Sequence, residues 1–172
     1  MSADEVNISK IADSLLSDID ISLQFILGEK NPGNNRDDIR INRNNSHSIF
    51  TKSIDQFQPC PQLMDTHLRS FINRITDSYI KNCLHSGQNS LLDEQISDSF
   101  YQFAKVRGSK TTSNFLNNDI SLLPHVVKRV TLCSSWKSRY FLLLWLSVLI
   151  LTPFPLSKIE DQLPDNVYIM SC

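Results

Sequence analysis

The apolar residues of this chain recur three and four positions apart in one segment after another, and no segment reads convincingly as a strand. The clearest case is residues 64–84. Met64, Leu68, Phe71, Ile72, Ile75, Tyr79, Ile80, Cys83 and Leu84 fall on one helical stripe. Arg69, Asn73, Arg74, Asp77, Lys81 and Asn82 mostly face away from it, Pro61 suits the first turn and Gly87 follows the end. Ile8, Ile11, Leu15, Ile19, Leu23 and Ile26 predict a helix over 8–27 closed by Gly28, although Ile19, Ile21, Leu23 and Phe25 also alternate as in a strand. A helix from Leu91 to Arg107 is expected with Leu92, Ile96, Phe100, Phe103 and Val106 inward, Ser90 as N-cap and Gly108 after its end. A short segment, 110–116, leads to a helix near 122–131, with Ser121 as its cap and Pro124 in its first turn. The last helix covers 136–151, capped by Ser134 or Ser135. It stops before Pro153, which drives Thr152 out of helical geometry.

Helix after helix with short connections makes a bundle or a helical solenoid. No fixed internal period is found, but helix pairs about forty residues apart suit degenerate HEAT-type repeats. Residues 29–48 are polar and rich in asparagine and cannot bury enough apolar surface to offset ordering entropy. The expected organisation is therefore an amino-terminal helix at 1–28, a polar stretch at 29–56 that is a disordered linker or a long loop, a helical-repeat segment at 57–160 and a tail at 161–172.

Composition narrows the function. Seventeen basic and eighteen acidic residues give a net charge of −1, which exerts no general pull on nucleic acid or an anionic membrane. The start of the chain, Met1-Ser2-Ala3-Asp4-Glu5, is acidic and unlike a secretory signal, so a cytoplasmic, reduced protein is expected. The four glycines stand alone, which argues against a phosphate-cradling loop. Cys60, Cys83, Cys133 and Cys172 form no Cys-x-x-Cys pair, and Cys83-Leu84-His85 is the closest approach to a metal spacing. Asp93, Glu94 and Asp98 read as a solvated helix face. No nucleophile–base constellation can be named, so neither catalysis nor a metal or other cofactor is expected.

The run Tyr140–Leu151 is apolar on all sides and follows Lys137 and Arg139. Two readings compete for it: a helix enclosed in a protein core, or the anchor of a small tail-anchored membrane protein extending to Leu156. Twelve helical residues rise about 18 Å against a hydrocarbon core of about 30 Å, and Pro153 and Pro155 oppose extension. The core reading is preferred, and a helix so enclosed needs neighbours on every side.

Two blocks carry a resemblance to a known family. Trp136-Lys137-Ser138-Arg139-Tyr140-Phe141-Leu142-Leu143-Leu144-Trp145-Leu146-Ser147, followed by Pro153-Phe154 and Leu156-Ser157, resembles a segment of tubulin-specific chaperone D, also called tubulin-folding cofactor D. Phe103-Ala104-Lys105-Val106-Arg107-Gly108-Ser109-Lys110-Thr111 is similar to that family's Lys-Val-Arg-Gly-x-Lys segment, in the right order and separation. Gln62-Leu63-Met64-Asp65 and His67-Leu68 resemble the start of an early family helix. The resemblance covers roughly residues 57–160. Ser109 replaces a usual aromatic residue and Pro155 a common acidic one, and the tail from Gln162 to Cys172 resembles nothing known.

The resemblance implies an all-α, HEAT/armadillo-like solenoid. Family members are much longer, so an amino-terminal fragment, a truncated coding sequence or a degenerate, non-functional remnant is expected. It further implies a non-catalytic, microtubule-associated scaffold that holds β-tubulin after the chaperonin and joins it to α-tubulin carried by other cofactors. With those cofactors the family stimulates GTP hydrolysis by tubulin, and it associates with an Arf-like small GTPase. The motif residues that would pack or touch a partner are Lys105, Val106, Arg107, Gly108, Lys110, Trp136, Arg139, Tyr140, Trp145, Pro153 and Phe154. The block 105–110 is read either as a helix terminus, where the dipole favours cations, or as a basic patch for an acidic surface.

Overall fold

A computed structural model describes residues 3–30, 36–84 and 90–153. The cap expected at Gly87, the residues Phe154 and Pro155, and the tail 161–172 lie outside the described residues. Among the described residues there is no strand. The described residues form seven helices in order: α1 (Ala3–Ile26), α2 (Arg36–Asp55), α3 (Asp65–Tyr79), α4 (Ser90–Arg107), α5 (Ser109–Ser113), α6 (Leu123–Leu132) and α7 (Trp136–Leu151). Short 3₁₀ turns at Pro61–Met64 and Ile120–Leu122 lead into α3 and α6, and a π-helical turn, Ile80–Leu84, extends α3.

The helices form three stacked hairpins, α1/α2, α3/α4 and α6/α7. One row carries α1, α3 and α6; the other carries α2, α4 and α7. Each hairpin packs chiefly on the next, which is the architecture of a HEAT- or ARM-like repeat segment. Sequence periodicity explains the inward faces. Ala12, Leu16, Ile19, Leu23 and Ile26 of α1 are buried at spacings of four and three, and Gly28, with φ of 75°, closes the helix in the left-handed region. Leu68, Phe71, Ile72, Ile75 and Tyr79 are the buried stripe of α3, as the pattern predicts. The π turn adds Cys83 to that stripe.

An aromatic line joins the hairpins. Phe50 of α2 meets Phe103 of α4 edge-on at 5.5 Å, Phe103 stacks on Phe71 at 5.6 Å, and Phe100 meets Phe141 of α7 at 4.8 Å. Tyr79 and Trp145 then flank Phe141 at 5.0 and 5.5 Å. Such pairs add about 0.5–1.5 kcal/mol each beyond their area burial.

The structure departs from the sequence reading at four places. Residues 36–55, read as part of a disordered linker or long loop, form α2. Phe50, Ile54 and Phe57 bury against α1 and α4, and Ser46 and Ser53 are buried beside them. Small side chains let helices approach closely, so a face with few apolar residues suffices once α1 is there to receive it. At α6, Asp119 rather than Ser121 supplies the cap: its carboxylate accepts from the Ser121 backbone N–H at 3.0 Å.

Asp93 and Asp98, read as solvated, are buried because cations from other helices reach them. The helix enclosed on most sides is α4, not α7. Phe141, Leu142, Trp145 and Leu149 of α7 are buried, yet Leu143, Ile150 and Leu151 are 48%, 60% and 81% exposed, because no described helix follows the third hairpin.

Candidate interaction surface

The two motif blocks come together at one edge of the stack. Tyr101 of α4 meets Trp136 at 5.0 Å and Tyr140 at 5.6 Å, both edge-to-face. Tyr140 also meets the side chain of Ser109 at the start of α5, which ties the first block to the second. Lys137 Nζ lies 5.9 Å from the Tyr101 ring and 5.8 Å from the Trp136 ring. Trp136 remains 59% exposed, and Lys110 and Arg139 are exposed nearby in the chain. An exposed indole held in place by a tyrosine, with a lysine beside it, is the kind of group that dominates protein interfaces.

The basic residues of the first block are engaged. Arg107 grips Asp65 with two parallel hydrogen bonds, Nε to Oδ1 at 2.6 Å and Nη2 to Oδ2 at 2.8 Å. Lys105 Nζ lies 3.0 Å from Asp55 Oδ1. Arg107 holds the Asp65 carboxyl below the usual range, and Lys105 does the same to Asp55. These pairs fasten the end of α4 to residues flanking the α2–α3 connection, and both are solvent-screened, so each contributes little. Gly108, with φ of 97°, turns the chain from α4 into α5, and Val106 is half-buried beside it.

The second block divides by face. Trp145 is fully buried and donates from Nε1 to the Asn117 carbonyl at 2.6 Å, pinning the α5–α6 connection to α7. Arg139 donates from Nη2 to the Cys133 carbonyl at 3.3 Å, and Pro153 is exposed after the end of α7.

Two buried polar clusters have no clear signal in the sequence. In the first, Asp93 accepts from Tyr79 Oη at 3.0 Å, from Arg129 Nη2 at 2.6 Å and from Ser97 Oγ at 3.3 Å. Burial, with Asp93 adjacent, drives the Tyr79 phenol upward, and burial pushes the neighbouring Cys83 thiol up to about 12. In the second, Asp98 lies 2.8 Å from His47 Nε2 and 2.5 Å from Lys137 Nζ. Burial opposes ionisation of Asp98, but its contacts with His47 and Lys137 prevail and hold its carboxyl below the ordinary range. Helical spacing alone shows which face a carboxylate occupies, not which distant cation arrives there.

The clusters join α2, α3, α4, α6 and α7. Among the described residues no group of three or more His, Cys, Asp or Glu is placed to hold a metal ion. Among them, too, no helix is long and apolar enough to cross a membrane.

Comparison with known proteins agrees with this architecture. The family profile of tubulin-specific chaperone D-like ARM repeats matches residues 54–170. Tubulin-folding cofactor D of Schizosaccharomyces pombe is 28% identical over 135 residues, covering 74% of this chain and 12% of that protein. The chain thus spans about an eighth of the length of that relative. No solved structure matches this chain. On the family match and the stacked hairpins together, the chain belongs to the tubulin-specific chaperone D-like ARM-repeat family.

Proposed function

We propose that this chain is a non-catalytic scaffold segment of a tubulin-folding cofactor, the amino-terminal part of a longer repeat array, and that it binds β-tubulin after chaperonin release. The family match over residues 54–170 carries this reading. In it, the rows of helices offer an extended surface and affinity comes from contact area around a few anchors. Trp136, Tyr101 and Tyr140 are the anchors, with Lys110 and Arg139 meeting carboxylates of the partner. GTP cleavage belongs to tubulin. This scaffold, with other cofactors that carry α-tubulin and with an Arf-like small GTPase, biases tubulin toward heterodimer assembly in the microtubule-associated cytoplasm.

The test is gel filtration of residues 1–172 with purified β-tubulin. Co-elution as a complex is expected, and separate elution across micromolar concentrations removes the proposal.

A further inference from the structure

Burial does not hold the indole of Trp136, which is 59% exposed at the first residue of α7. Its orientation depends on side chains that reach it from the stack. Tyr101 meets it edge-on at 5.0 Å, and Lys137 Nζ stands 5.8 Å from its ring and 5.9 Å from the Tyr101 ring. A lysine held by rings alone samples many rotamers, because an exposed ammonium gains little from an aromatic face.

Asp98 supplies the missing hold. Asp98 and Tyr101 stand three residues apart, on one face of α4. Lys137 Nζ lies 2.5 Å from Asp98 Oδ1, so one ammonium spans from the carboxylate to the ring a turn later. Asp98 is 6% exposed, and the Lys137 side chain is 26% exposed. Such a pair is screened far less than one on open surface. The other oxygen of Asp98 lies 2.8 Å from His47 Nε2 of α2, and Gln102 Nε2 donates to Oδ1 at 3.3 Å. Packing does not fix Lys137 by itself. An open cavity of about 340 Å³, walled by Asn44, His47, Glu94 and Gln95, lies beside it, and exposed Glu94 offers a second carboxylate there.

We infer that Asp98 is a positioning residue of the aromatic edge: it fixes Lys137 against Tyr101 and Trp136 and so sets the orientation of the exposed indole. His47 acts through the same carboxylate. The edge therefore answers to α2, although α2 gives it no ring. This role deepens the proposed use of the edge and rests on that reading only for its effect on affinity, since the indole can be observed without tubulin.

The test incorporates 5-fluorotryptophan into the full chain and assigns the fluorine resonances of Trp136 and Trp145 through Trp136→Phe. Lys137→Met keeps the aliphatic stem, removes the charge and leaves Asp98 with His47, so the fold is retained. Its Trp136 line should narrow and move toward that of free fluorotryptophan, while the Trp145 line stays in place. Lys137→Arg should return the Trp136 line close to the parent position, because a guanidinium reaches a carboxylate and stacks on rings. Asp98→Asn should reproduce the effect of Lys137→Met, and His47→Ala should shift the line the same way by less. An unmoved Trp136 line in Lys137→Met overturns the assignment. So does an equal movement of the Trp145 line, which would mean that all of α7 has loosened. With labelled β-tubulin, Lys137→Met should bind about threefold or more weakly than the parent. Failure of the parent to bind strikes the proposed function alone, because the fluorine lines still decide the role of Asp98.

Discussion

Arg129 Nη2 lies 2.6 Å from Asp93 Oδ2, with both residues more than nine-tenths buried. The pair joins the middle hairpin to the third, and Tyr79 completes it by donating to the other carboxylate oxygen. Arg129 Nε has no hydrogen-bond partner among the described residues, while Tyr79 as well as Asp93 meets the guanidinium, so the three side chains form one buried network. Breaking one side of a buried ion pair strands the other charge. Asp93→Ala should therefore cost about 3–5 kcal/mol in urea unfolding. Replacing both residues with apolar ones of similar volume should cost far less. Equal losses in the single and double variants would show that the pair carries no such coupling.

Asp98 makes stability depend on acid. Its carboxyl is held below the ordinary range by His47 and Lys137 against the effect of burial. A group depressed in the folded state stabilises fully above its unfolded value, about 3.9, and loses that contribution as pH falls through the folded value. The urea midpoint should hold near neutrality and drop below about pH 4. Asp98→Asn should be less stable than the parent at pH 7 and should show a shallower acid slope. An unchanged slope in the variant contradicts the assignment.

Helix α2 tests the largest departure from the sequence reading. Phe50 is fully buried and meets Phe103 at 5.5 Å. Phe50→Ala should lose about 3–5 kcal/mol, as for a large aromatic removed from a core. A change within about 0.5 kcal/mol, the usual surface value, would mean that residues 36–55 do not pack as described.

The thiols should differ in reactivity. Cys60 is exposed, whereas Cys83 is buried with its thiol pushed up to about 12. Alkylation requires the thiolate. At pH 8, iodoacetamide should modify Cys60 in native protein and reach Cys83 only on adding denaturant. Comparable labelling of both in the native state contradicts the packing around Asp93.

What was legible in the sequence follows from what periodicity encodes. The stripe Leu68–Phe71–Ile72–Ile75–Tyr79 placed α3 and its buried face, and Pro153 placed the end of α7. Helix α2 was hidden because its contact face uses Phe50 and Ile54 with small Ser46 and Ser53, a pattern too sparse to register without α1 beside it. Asp93 and Asp98 looked solvated because their partners, Arg129, His47 and Lys137, come from other helices. The run from Tyr140 to Leu151 looked enclosed because it is apolar all round, yet enclosure depends on how many hairpins follow it.

At the candidate surface, the motif residues of both blocks were visible as words. Their meeting through Tyr101 was not, because Tyr101 lies outside the quoted blocks and contacts Trp136 across two helices.

The most direct test of the account is a titration of labelled β-tubulin with the parent chain, Trp136→Ala and Trp145→Phe. Trp136 is exposed at the joined edge, whereas Trp145 is buried and pins the α5–α6 connection. Trp136→Ala should weaken binding about tenfold or more with an unchanged melting temperature, the size of a true anchor. Trp145→Phe should lower the melting temperature and leave affinity near that of the parent wherever the protein is folded. Parent-like affinity for Trp136→Ala, or no binding by the parent itself, would contradict the claim that the stack presents this edge to tubulin.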